Sequence, residues 1–160
     1  MKRLLHNLCE LLTLFLSFGF LYFLLESIWK GHFTNWRMFV LAGIIGTIIG
    51  FLNNVFTYDT DFICQCLIGT QSAVLAEAIF GYHWNVEMGL GLWNYSNPPL
   101  SYFSFCADQI NLIFAILWVF LSAIAIVLAD IIHCFIFNRV GERPYYKIRG
   151  RLIFQFKERR

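Results

Sequence analysis

The residues best placed to do chemistry are acids and amides inside long apolar runs. Glu77 lies within Phe62–Tyr82, a stretch that reads as a membrane-spanning helix. Gly81 is four positions on, and Ala73 and Gly69 are four and eight positions back. Small residues at i, i+4 share one helix face and let a second helix approach closely, so Glu77 is expected to face that contact. A carboxylate at membrane depth is costly unless paired, protonated or functional. Glu26 in the first apolar run, Asn53 near the inner end of the second and Gln71 beside Glu77 are the other polar side chains that could converge with it, although Asn53, like Asn54, is more simply read as tying helices together by hydrogen bonds. Just beyond comes Trp93-Asn94-Tyr95-Ser96, an aromatic and polar cluster suited to cover such a site at the membrane surface. Together these make Glu26, Asn53, Gln71, Glu77, Trp93, Asn94 and Tyr95 the candidate solute-binding set.

Other groupings carry less. Asp130 and His133 lie one helical turn apart and could relay a proton, but pairing of Asp130 with Arg139 at the membrane boundary is the simpler expectation. His83 and Glu87 have no third member to complete a hydrolytic site, so no enzyme is expected. Asp59-Thr60-Asp61 offers too few oxygen ligands for a metal and reads as a solvated turn. The five cysteines show neither C-x-x-C spacing nor a zinc pattern. No cofactor is expected.

The elements that must position these residues follow from composition. Of 160 residues 59% are hydrophobic and 14% charged, against about 45–50% and about 25% in soluble domains. The excess sits in runs long enough to cross a bilayer. An all-α polytopic membrane protein is expected, with four spans at Leu4–Trp29, Trp36–Tyr58, Phe62–Tyr82 and Ile110–Phe137. The first run is too long for a signal peptide and ends without an A-x-A site, so it reads as a retained helix. Glu10 is expected near water at its start, and Glu26 is balanced between snorkelling to water and packing inside. Ala42, Gly46, Gly50 and Asn54 recur every fourth residue and form a helix-packing stripe. The aromatic-rich loop His83–Gln109 contains Pro98-Pro99, which excludes one regular helix and leaves a surface cap or a re-entrant segment.

Residues 1–137 are thus a four-helix transmembrane domain and 138–160 a basic tail. The tail holds eight of the twelve Lys and Arg residues. Arg139, Arg143, Lys147, Arg149 and Arg151 are candidates for anionic lipid headgroups, and nucleic acid is not expected. Partial alternation around Arg149-Gly150 allows a short hairpin. Lys2, Arg3 and the tail place both termini in the cytoplasm of a multi-pass cell-membrane protein, by the positive-inside rule.

From Phe18 to Phe137 the chain resembles the CmpB-like small bacterial membrane proteins assigned as type IV ABC-transporter permeases. The resemblance rests on Gly19-x-x-Tyr22-x-x-x-Glu26-x-x-x-Lys30-Gly31, Met38-x-x-x-x-Gly43, Gly50-x-x-Asn53, Glu77 with Gly81, Trp93-Asn94-Tyr95-Ser96-Asn97-Pro98, and Trp118 with Asp130. Asn94 stands where that family has Asp, which removes a charge and leaves a hydrogen-bonding role. The resemblance implies a small transporter or permease subunit with a polar site around Glu77. The alternative is a structural or partner-binding membrane protein, as a homo-oligomer or with another membrane subunit, whose polar residues lock helix packing.

Overall fold

A computed structural model describes residues 2–137 and 143–156. Four helices are long and apolar enough to cross a membrane: Leu4–Lys30, Trp36–Val55, Phe62–Glu87 and Leu112–Ile136. The protein is therefore all-α in class and reads as a multi-pass membrane protein. Within the spans, α1 runs Lys2–Lys30, α2 Trp36–Gly50, α3 Leu52–Val55, α4 Phe62–Gly81 and α5 Leu112–Ile131. The third and fourth spans end in π-helical turns, Tyr82–Glu87 and Ile132–Ile136.

Three spans begin on an Asx cap. The side chains of Asn35, Asp61 and Asn111 accept from the backbone N–H of Arg37, Ile63 and Ile113 at 3.0, 3.0 and 2.9 Å. Each satisfies one of the N–H groups a helix start leaves without an intrahelical partner, worth about 1 kcal/mol. The first span ends at Gly31 with φ +71°, a left-handed conformation that glycine adopts without steric cost.

α1 packs along α2, α2 against α4 and α5, and α4 against α5. The small-residue stripe does what its spacing suggests. A Cβ on Gly46 would lie 2.2 Å from Phe18 Cγ and 2.3 Å from Phe18 Cβ, so only glycine allows this approach. Between the helices Leu14, Ile45, Ile49, Ala73 and Ile126 are buried. Outward-facing Leu16, Phe20, Leu24, Leu75, Ile116 and Phe120 are exposed, as lipid-facing residues must be.

The second span stops at Val55, short of the expected Tyr58, and is broken at Phe51 (φ −92°, ψ 0°). The third continues past Tyr82 to Glu87 because a π-turn accommodates one more residue per turn instead of ending the helix. The loop after it is irregular. It contains a cis Pro98–Pro99 bond, a 3-10 turn Leu100–Phe103, and a two-residue ladder pairing Ser104 with Asn111 and Phe105 with Ile110. The tail forms the hairpin: β1 (Tyr145–Ile148) pairs antiparallel with β2 (Arg151–Gln155) around Arg149-Gly150. Tyr146 of β1 is 4% exposed and joins the helical core. His6 and Phe137 meet ring to ring, 5.5 Å between centroids, so the start of α1 and the end of the fourth span share one end of the bundle.

Candidate functional site

The buried polar residues do not form one site. They gather at opposite ends of the bundle: a loop end beneath residues 88–111 and a tail end beside the hairpin.

At the loop end, α1 supplies Tyr22, Glu26 and Lys30. The Lys30 ammonium lies 2.6 Å from Glu26 Oε1, and reaches Leu92 O at 3.3 Å and Thr34 Oγ1 at 3.4 Å. Glu26 therefore packs inside instead of snorkelling to water. Its second oxygen, Oε2, is buried without a hydrogen-bond partner among the described residues. Glu77 is 8% exposed, within electrostatic reach of Glu26, and hydrogen-bonds with Trp118 of α5. The Trp118 ring lies parallel to that of Tyr22, 6.1 Å away with 5° between planes. Tyr95 approaches the same two acids and stacks on Phe114. Burial first, then Glu77 and Glu26, push its phenol well above the usual tyrosine range, so it stays protonated and can donate.

Trp93 roofs the cluster. Its indole N–H donates to Gln109 O at 3.0 Å, not to Glu77. Gln109 Oε1 accepts from Asn85 Nδ2 at 2.7 Å, and Asn85 Oδ1 accepts from Leu92 N at 2.7 Å. A Cβ on Gly81 would lie 2.8 Å from Trp93 Cζ2, so the glycine four residues past Glu77 seats the roof. Beside the cluster an apolar groove of about 110 Å³ runs between the first and fourth spans. Tyr22 and Trp118 line it together with Phe18, Gly46 and Ala125. The two rings thus border both the groove and the acids.

At the tail end, His133 (4% exposed) points both ring nitrogens at acceptors. Nδ1 makes a short contact with Glu10 Oε1, and Nε2 lies 3.0 Å from Gly50 O. A carbonyl only accepts, so Nε2 carries a proton. The Glu10 contact requires another proton between the two groups, so the dyad is neutral overall. Glu10 is 1% exposed, and its expected place near water is overturned. Among the described residues, amide and hydroxyl donors hold Asp130. It accepts from Asn53 Nδ2 at 3.1 and 2.9 Å, Tyr58 OH at 3.4 Å and Tyr146 OH at 2.7 Å. Arg139 lies outside the described residues. Burial, then the Asp130 charge, push the Tyr146 phenol far above its ordinary range and keep it a donor.

Of the expected set, Glu26, Glu77, Trp93 and Tyr95 come together. Asn53 does not: it ties α3 to Asp130 at the other end. Gln71 is exposed on the outer face of α4, two positions off the buried row. Asn94 is exposed and accepts from Ser96 N at 2.8 Å, away from the acids. The Asp59–Asp61 turn is more than solvated, because Asp59 pairs with Lys147 and Asp61 accepts from Arg149 N, docking the hairpin. Lys147 is thereby engaged with protein. Arg149 and Arg151 are exposed, and Arg143 is half-buried.

Sequence reasoning missed Glu10, Tyr58, Asn85, Gln109 and Tyr146. A signal for Glu10 was present. Glu10, Leu14, Phe18, Tyr22 and Glu26 recur every fourth residue, so both acids of α1 end one stripe, about 24 Å apart at about 1.5 Å per residue.

The chain matches no family model, no curated protein and no solved structure.

Proposed function

We propose that the protein is a small permease-type membrane subunit that takes an amphipathic cation at its loop end. Glu26 and Glu77 would hold the cationic head, and the groove below Tyr22 and Trp118 would take the apolar part. The observation that carries this is a mismatch of charge and partners. Lys30 pairs with Glu26, neighbouring Glu77 has no cation partner among the described residues, and Glu26 Oε2 has no hydrogen-bond partner among them. Aromatic faces around such a pair favour a substituted ammonium, which gains cation–π attraction where water is excluded. The groove supports an apolar appendage on the same molecule. The resemblance to the CmpB-like permeases points the same way.

The test is tryptophan fluorescence of the protein in nanodiscs, titrated with benzyltrimethylammonium against benzyl alcohol as neutral control. A saturable change for the cation, lost in Glu77→Gln, supports the reading. Identical curves for parent and Glu77→Gln, or equal response to both probes, contradict it.

A second reading holds for the tail end alone. Asp130 has three donors, from α3, the turn after it and the hairpin, and His133 has acceptors on both sides, so this cluster serves as a lock joining α1, the α2–α3 break, the fourth span and the hairpin.

A further inference from the structure

The hairpin presents an arrangement that water does not favour. All five residues of β2 are exposed, and the central three are apolar: Leu152 at 55%, Ile153 at 62% and Phe154 at 52%. The exposed cations Arg149 and Arg151 flank this patch at the turn. The hairpin is also held at a fixed height. Tyr146 reaches Asp130 within the fourth span, the Phe62 ring lies 4.8 Å from the Tyr146 ring, and Asp61, the N-cap of α4, accepts from Arg149 N. The strand therefore sits level with the start of the third span, where hydrocarbon gives way to headgroups.

We propose that this hairpin is an anionic-lipid site, with Leu152, Ile153 and Phe154 dipped among acyl chains and Arg149 and Arg151 on the lipid phosphates. Charge complementarity selects the occupant. Exposed apolar side chains beside exposed arginines fit an interface that is greasy on one side and negative on the other. Among the described residues neither arginine side chain makes a hydrogen bond or ion pair: Arg149 docks the hairpin through its backbone N–H, and Lys147 supplies the ion pair to Asp59. The cations are thus free to serve lipid while the fold stays intact. This inference is independent of the loop-end reading.

The experiment places an environment-sensitive fluorescent amino acid at position 153 of the full chain, in nanodiscs of phosphatidylcholine with phosphatidylglycerol. Quenching by a shallow nitroxide lipid is compared with quenching by acrylamide. The site predicts dominant lipid quenching, and a ratio of quenching by nitroxide-labelled phosphatidylglycerol to quenching by nitroxide-labelled phosphatidylcholine that falls roughly fivefold for each of Arg149→Gln and Arg151→Gln. Raised salt moves it the same way. Dominant acrylamide quenching overturns the proposal, because the strand then lies in water. Weak quenching by both overturns it too, because protein then covers the patch. So does a ratio that ignores both arginine substitutions.

Discussion

Two histidine–carboxylate pairs in this chain have like chemistry and opposite burial, which makes the tail-end lock measurable. His133 and Glu10 are 5% and 1% exposed in their side chains, whereas His83 and Glu87, 2.7 Å apart, are 57% and 54% exposed. Glu10→Ala leaves the Nδ1 side of His133 facing a void in a site that water does not reach. Removing one partner of a buried pair costs about 3–5 kcal/mol, because the other is left uncompensated. Glu87→Ala removes a solvated i, i+4 pair worth about 0.2–1 kcal/mol. Removing both buried groups, as Glu10→Ala with His133→Leu, is expected to cost well under the sum of the single substitutions. The coupling should lie toward the top of the usual range of about 0.5–3 kcal/mol. The assay is reversible unfolding in mixed dodecylmaltoside and SDS micelles, followed by circular dichroism. If Glu10→Ala costs no more than Glu87→Ala, or the buried double cycle is additive, the lock is not what holds this end together.

Three further outcomes follow from the geometry. Gly46→Ala should destabilise by about 1–3 kcal/mol in the same unfolding assay, and by more than Gly50→Ala, whose added Cβ would meet Ala129 Cβ at 3.2 Å and Leu14 Cδ1 at 3.3 Å. Asn94→Asp should leave stability within about 0.5 kcal/mol of the parent and leave benzyltrimethylammonium titrations unchanged, since Asp can accept from Ser96 N as Asn94 does. Acid should loosen the hairpin: the Lys147 hydrogen bond lowers the pKa of Asp59, and the Arg149 N–H lowers that of Asp61, below the ordinary 3.8. Their contribution is present above that ordinary value and lost as pH falls through the lower folded values. Amide exchange of Tyr145–Ile148 should rise in that window in the parent and change less in Asp59→Asn.

Much of the fold was legible in the chain because lipid simplifies the code. Four apolar runs declared four spans, and the row Gly69, Ala73, Glu77, Gly81 declared which face of the third span meets protein. The same row foretold that Glu77 is shielded, since its neighbours are small and a helix must fill the space. Convergence of the polar residues was not legible. Position along the runs put Asn53 near the inner end and Glu77 nearer the outer loop, and a helix-tying role for Asn53 was readable, but its partner Asp130, 77 positions away, was not. Glu10 misled because charge near a chain start is usually wet, while its partner His133 lies 123 positions away. Gln71 misled for a local reason: residues two apart on a helix face in different directions. The Asn85–Gln109 brace needed the path of the loop, which depends on backbone at Cys106, Ala107 and Asp108, all at positive φ.

Under the proposed function the loop-end acids bind a cation and the tail-end acid only holds the fold. Equilibrium binding of radiolabelled benzyltrimethylammonium to one nanodisc preparation each of the parent, Glu77→Gln and Asp130→Asn tests it directly. Saturable binding to the parent and to folded Asp130→Asn is expected, and none to folded Glu77→Gln. Saturable binding that survives Glu77→Gln, or that vanishes in Asp130→Asn while the protein stays folded, would contradict it.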